Sequence, residues 1–293
     1  MPEKKLIIEA RLNEYEMRDR NGNVPWTAEE IAQDAAACRE AGASIVHFHA
    51  RAPDGAPAFG YETYREAIEA IRAASDVLIH PTIGGPERAA TAEERLAHVV
   101  QLAETGFRPD FAPLDMGTSN VDMFDEAAGR FLSQDRVYSN TTATLRYFAE
   151  TLRALGIKPS LEIWSIPMMR LAQAFHRIGL LDEPLFLSLN LIEGGLITAH
   201  PGTAKGLRAH LDFLPERARH EWLVTFNGGN MLPLAGVIIA EGGHIATGIG
   251  DYAYPELGRP TNAEVVRRIA LLATDAGRSL ATPAEARQML GLG

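Results

Sequence analysis

The sequence predicts a single (β/α)8 TIM barrel occupying residues 1–293, and three observations predict it. Short apolar runs alternate with longer amphipathic ones about eight times, the pattern of a parallel sheet covered by helices. Several amphipathic runs open on Thr-x-x-Glu, in which the threonine caps a free backbone N–H and the glutamate reaches back to the cap. The 293 residues suffice for a closed barrel, which typically needs about 250. The competing arrangement, an open doubly wound sheet for a dinucleotide, expects a glycine-rich turn after its first strand. Arg11-Leu-Asn-Glu14 stands there instead.

Taken in order, Leu6–Ala10 is the first strand and Thr27-Ala-Glu-Glu30 opens the first helix. Ile31, Ala35 and Cys38 follow at helical spacing, and Gly42 ends the helix because glycine accepts the left-handed conformation cheaply. Ser44–His49 is a strand, Tyr61–Ala74 a helix and Val77–Pro81 a strand. Thr91-Ala-Glu-Glu94 begins a helix that runs to Gly106, and Phe111–Asp115 is the fourth strand. A longer connection, Gly117–Gln134, leads to a helix over Thr141–Leu155. Ser160–Trp164, Leu185–Leu191, Glu221–Phe226 and His244–Thr247 are the remaining strands. Pro167–Ile178, Thr203–Leu214, Met231–Ala240 and Thr261–Ala276 are the helices after them, and a short tail helix starts at Thr282.

Composition narrows the function classes. Hydrophobic residues are 46% and charged residues 23%, as in an ordinary folded protein. A net charge of −10 opposes broad contact with nucleic acid, whose phosphates need Lys and Arg. One cysteine, Cys38, permits no intramolecular disulfide and fits a reducing compartment. No apolar run approaches the ~20 residues of a membrane span, and the start of the chain has too short an apolar run for a signal peptide. A cytoplasmic location is the expectation.

His47-Phe-His49 carries the most chemistry. Side chains two apart on a strand share a face, so His47 and His49 point together, with Ile45 before them, while Val46 and Phe48 face the helices. Two imidazoles at the C-terminal end of a barrel strand suit zinc or a related divalent metal. The alternative is a pair of hydrogen-bonded structural histidines. Asp251, after Thr247-Gly-Ile-Gly250, is a candidate general base or a turn residue. Glu9 and Arg11 would be inward charges that need partners. Gly84 and Gly85, after Thr82, could offer N–H groups to an anion or simply form a turn. Asp115, Glu162 and Asn227 end or interrupt strands as polar candidates for substrate contact. His80 and His200 are expected to be structural.

These pieces together resemble the beta-keto acid cleavage enzyme family, whose founding activity is 3-keto-5-aminohexanoate cleavage. The resemblance rests on Glu14, the run through His47-Phe-His49-Ala-Arg51 with Asp54-Gly55, Gly84-Gly85, Leu114-Asp115-Met-Gly117, Gly156 to Glu162, Leu232-Pro-Leu-Ala235, Gly242-Gly243-His244, Asp251 and Thr261-Asn-Ala-Glu264. It implies a homo-oligomeric zinc barrel, a dimer or tetramer, that cleaves a β-keto acid with acetyl-CoA to give acetoacetate and a CoA thioester. It implies metal binding by His47 and His49, catalysis by Asp251, substrate contact at Thr82 in place of a serine, and a pocket lined by Glu14 and Glu162. Two family residues are absent: the metal-binding glutamate before the catalytic aspartate is Gly250 here, and the arginine that partners that aspartate falls at Ala246. The expectation is that Glu9 supplies the missing carboxylate and Arg11 the missing cation, with Arg51 and Arg88 at the entrance for polyanionic CoA. Two other functions fit the altered metal sphere: a metal-assisted lyase or hydrolase without CoA, and a non-catalytic binding barrel.

Overall fold

The computed structural model describes residues 4–85 and 90–293. Eight strands form one sheet: β1 (Ile8–Arg11), β2 (Ile45–Phe48), β3 (Leu78–Pro81), β4 (Phe111–Asp115), β5 (Lys158–Ile163), β6 (Leu185–Ile192), β7 (His220–Asn227) and β8 (His244–Thr247). Their order is β3-β2-β1-β8-β7-β6-β5-β4, with every adjacent pair parallel. That order is the chain order of a (β/α)8 barrel, and the strands wrap into a nearly closed one. Between β3 and β4 the ladder gives way to an exchange at one residue: Asp110 N–H donates to Ile79 O at 3.0 Å, and Ile79 N–H donates to Asp110 Oδ2 at 2.8 Å.

Among the described residues, eight helices alternate with the strands: α1 (Ala28–Ala41), α2 (Tyr61–Ala74), α3 (Ala92–Glu104), α4 (Thr142–Ala154), α5 (Ile166–Arg177), α6 (Ala204–Leu211), α7 (Leu232–Ala240) and α8 (Asn262–Asp275), with α9 (Pro283–Met289) last. The Thr27–Glu30, Thr91–Glu94, Thr261–Glu264 and Thr282–Glu285 capping boxes all form. Gly42 ends α1 at φ +118°. No helix among the described residues is long and apolar enough to cross a membrane.

The interior is layered, as side chains of alternating strand residues require. Ile7, Ile45, Leu78, Phe111, Phe186, Leu223 and Ala246 form an apolar floor, and Ala286 and Leu290 of the α9 segment close it from below. Val46 and Phe48 face outward into the helix layer. Above the floor the inward residues turn polar, and the working pocket opens at the strands' C-terminal ends.

The connection from Gly117 to α4 is not a plain loop. Ser119–Asn120 pairs antiparallel with Val137–Tyr138, and Phe124–Asp125 with Arg130–Phe131. Phe124 N–H also donates to Gly195 O at 2.7 Å, tying this hairpin to the β6–α6 loop beside the mouth. Two-residue strands carry too few alternating positions to declare themselves in a sequence.

Candidate active site

A cavity of about 430 Å³ opens at the C-terminal mouth of the barrel. Arg11, Glu14, His47, His49, Thr82, Gly84, Gly85, Asp115, Glu162, Asn227 and Asp251 all line it. Glu9 does not; it lies beneath.

Arg11 is the centre of the charge arrangement. Its Nε donates to Asp251 Oδ1 at 3.0 Å, its Nη2 meets Glu14 Oε1 at 2.9 Å, and its Nη1 meets Glu9 Oε1 at 3.3 Å. All four side chains are buried. Burial works against the Glu9 carboxylate, but its contact with His80 and the Arg11 guanidinium, with a smaller contribution from His47, hold it down at about 2. Glu14 is likewise held well below the usual range, with burial opposed by Arg11, His47 and His49. Asp251 goes the other way: burial, with the nearby Glu14 and Glu9 charges, pushes it well up despite Arg11. Its Oδ2 is buried and meets no partner among the described residues. An acid with a raised affinity for protons and one free oxygen can take a proton from a bound molecule.

His47 and His49 share a face, as the strand period requires. Glu14 meets both: Oε1 lies 3.2 Å from His47 Nε2, and Oε2 lies 2.9 Å from His49 Nε2. Burial lowers His47 to about 3, so its ring is neutral, the form that binds metals. Two trios of metal-binding composition result: Glu14, His47 and His49 at the pocket wall, and Glu9, His47 and His80 below it. The register explains the split. Glu9 is level with Ile45, and Arg11 with His47. Glu9 is therefore two residues, about 7 Å along the strand, below His47 and about 13 Å below His49. Its carboxylate meets His80 Nδ1 at 3.1 Å instead. The carboxylate that faces both His47 and His49 is that of Glu14, while Glu9 shares His47 with His80.

The β1–α1 loop that presents Glu14 is pinned. Arg51 donates to the carbonyl oxygens of Gly55 at 2.7 Å, Asn13 at 2.8 Å, Glu16 at 3.2 Å and Glu14. Asn13 Nδ2 donates to His49 O at 2.9 Å, and His49 N–H donates to Asn13 Oδ1 at 2.8 Å. Arg51 is thus a buried brace and not an entrance residue. Arg88 lies outside the described residues.

The opposite wall is polar too. Asp115 and Glu162 sit side by side on β4 and β5. Asp115 accepts from the Tyr138 hydroxyl at 2.7 Å, and burial next to Glu162 raises it to about 6. Glu162 accepts from Ser160 Oγ at 2.8 Å and Asn190 Nδ2 at 2.9 Å. Gly84 lines the pocket, and its N–H donates to Thr82 Oγ1 at 3.1 Å. His80 sits between Glu9 and the His47 ring. His200 packs on the His210 ring, 4.7 Å between centroids. The sequence reading passed over Tyr138 and Arg136, which the hairpin brings to the pocket, and Tyr15, whose ring meets His49 edge-on at 4.6 Å.

A model of the family described as beta-keto acid cleavage enzyme matches residues 5–292. The chain belongs to the beta-keto acid cleavage enzyme family. The chain is 34% identical over 292 residues to the 3-keto-5-aminohexanoate cleavage enzyme of Fusobacterium nucleatum subsp. nucleatum, covering 98% of each chain. It is 30% identical to the 3,5-dioxohexanoate:acetyl-CoA acetone transferase of Paraburkholderia graminis, covering 92% of this chain and 89% of that one. Among solved structures it is similar to the ternary complex of ObcA with a C4-CoA adduct and oxalate. The TM-score is 0.69 at 17% identity, over 92% of this chain and 68% of that one, a likeness of fold.

Gly250 and Ala246, where the resemblance implies a glutamate and an arginine, each have a definite setting in the structure. A Cβ built on Gly250 lies 2.8 Å from the backbone nitrogens of Asn13 and Glu14. Ala246 belongs to the floor, level with Glu9; Arg11, two residues higher on the adjoining strand, carries the guanidinium that faces Asp251.

Proposed function

We propose that the protein cleaves a β-keto acid against acetyl-CoA, releasing acetoacetate and a CoA thioester of the remaining acyl group. The observation that carries this is the free Oδ2 of Asp251, buried in the same cavity wall as His47 and His49. The relatives' activities, 3-keto-5-aminohexanoate cleavage and acetyl-CoA acetone transfer, support the reaction class.

In balance, the bond between the keto carbon and the CH2 of the carboxymethyl group breaks, as does the acetyl–sulfur bond of acetyl-CoA. The acetyl group joins that CH2 carbon, giving acetoacetate, and the CoA thiolate takes the released acyl group. Asp251 removes a proton from the carbon between the keto and carboxylate groups and returns it to the same carbon once the original acyl group has left. Arg11 fixes Asp251 through Oδ1 and leaves Oδ2 facing substrate. The enclosed pocket keeps water from competing for the acyl group. The buried, neutral His47 with His49 and an ionised carboxylate fits a divalent metal, zinc on the resemblance; bound there, it would polarise the keto oxygen and stabilise developing enolate charge. Asp115, Glu162 and Asn227 line the side where the variable part of the substrate is read. We further read the enzyme as a cytoplasmic homo-oligomer, to be checked by light scattering.

The test supplies the metal-loaded enzyme with acetyl-CoA and a panel of β-keto acids. Mass spectrometry should find acetoacetate and a new CoA thioester in equal amounts. Absence of a CoA thioester with every substrate would sink the proposal.

A further inference from the structure

The proposed function leaves open which carboxylate joins His47 and His49. We propose that Glu14, presented by the β1–α1 loop, is the third protein ligand of the metal, and that the loop backbone occupies the space a side chain at position 250 would need. This rests on the metal-dependent reading above.

Four observations carry it. The two Glu14 oxygens lie 3.2 Å and 2.9 Å from the Nε2 atoms of His47 and His49. Ligands about 2.0–2.1 Å from a tetrahedral zinc are spaced roughly 3.3 Å apart, so a small inward adjustment is all that binding asks. Position 250 is closed to any side chain, because its Cβ would meet main-chain nitrogen and not a flexible tip. The Gly250 N–H donates to Arg11 O at 3.2 Å, which locks the two loops together at that point.

Glu14 itself holds φ at +34°, a left-handed conformation that a residue with a side chain keeps only when its surroundings impose it. The surroundings do: Arg51 grips the carbonyls of residues 13, 14 and 16, and Asn13 is stapled to the backbone of His49. The loop is built so that Glu14 and His49 keep a fixed relation.

The experiment compares wild type, Glu14→Gln and Glu9→Gln after chelation and reloading with Zn2+ or Co2+. It reads metal stoichiometry, affinity by competition with a chromophoric chelator, and the visible absorption of bound Co2+. Wild type should take one equivalent. Glu14→Gln should bind at least about 100-fold more weakly, beyond the 10–100-fold typical of losing an outer-shell partner, and shift the Co2+ bands. Glu9→Gln should stay within about tenfold of wild type, as an outer-shell change. Should Glu14→Gln fail to fold, Glu14→Asp should fold, bind with reduced affinity and alter the Co2+ spectrum. Wild-type affinity and spectrum in the Glu14 variants overturns this proposal alone, as does the large loss falling on Glu9→Gln. A wild type that takes up no metal overturns both this proposal and the metal-dependent reading.

Discussion

Replacing Arg11 with methionine tests the charge arrangement most directly. The guanidinium makes three contacts, at 3.0, 2.9 and 3.3 Å, to buried carboxylates of Asp251, Glu14 and Glu9. Methionine fills similar volume and offers none of them. Removing one partner of a buried pair costs about 3–5 kcal/mol. The loss does not multiply by three, because an orphaned carboxylate can take up a proton. At pH 7 protonating a glutamate of ordinary pKa 4.5 costs about 3.4 kcal/mol, and at pH 5 about 0.7 kcal/mol, from 1.36 kcal/mol per unit.

The Arg11→Met protein should therefore be less stable than wild type by about 4 kcal/mol at pH 7 and by about 1 kcal/mol at pH 5. The sign follows from linkage. Wild-type Glu9, with its depressed pKa of about 2, contributes stability that is full above about 4.5 and constant from pH 5 to 7. Glu9 titrates in that window only in the variant, whereas Asp34 and Asp115 titrate in both proteins and cancel in the difference. Urea denaturation of the chelated proteins, followed by the fluorescence of Trp26, Trp164 and Trp222, reads the difference. A loss under 1 kcal/mol at pH 7, or one that fails to shrink at pH 5, would refute the arrangement.

Two more outcomes follow from the same wall of the barrel. Gly250→Ala pushes a methyl group to 2.8 Å from two backbone nitrogens; it should lower stability by about 1–3 kcal/mol and depress kcat, measured by denaturation and steady-state assay. Asp34 accepts from Asn262 Nδ2, and burial raises its carboxyl to about 7. Because that value is raised, wild-type stability falls as pH climbs from about 4 to 7. Asp34→Asn should remove the slope and gain about 2 kcal/mol at pH 8. The full shift would give about 4, discounted because the residue keeps some contact with water. Equal slopes in the two proteins would dismiss the assignment.

Much of this was legible before any coordinates, and for a physical reason. Strand alternation placed His47 and His49 on one face, and Thr-x-x-Glu caps marked where α1, α3, α8 and α9 begin. Alternation gives a face but not a depth. The shift between neighbouring parallel strands decides that Glu9 lies level with Ile45, and no local pattern encodes it. Glu14 was a pocket candidate, but its aim depends on Arg51, which reaches back from beyond β2 to grip four carbonyl groups. Tyr138 and Arg136 reach the cavity on a hairpin of two-residue strands, below the length at which periodicity speaks.

The incomplete ladder between β3 and β4 gives the barrel an uneven stiffness. Arg11, Glu14, His47, His49 and Asp251 belong to β1, β2 and β8 or the loops just beyond them, three strands held side by side by continuous hydrogen bonding. Thr82 and Asp115 stand on either side of the joint, which is fastened low down by Asp110 and Ile79. Parting the sheet there breaks one exchange, whereas parting it among the reacting groups breaks a whole ladder. A force that opened the barrel would therefore part it between β3 and β4 before it disturbed the strands that carry Arg11, His47 and Asp251.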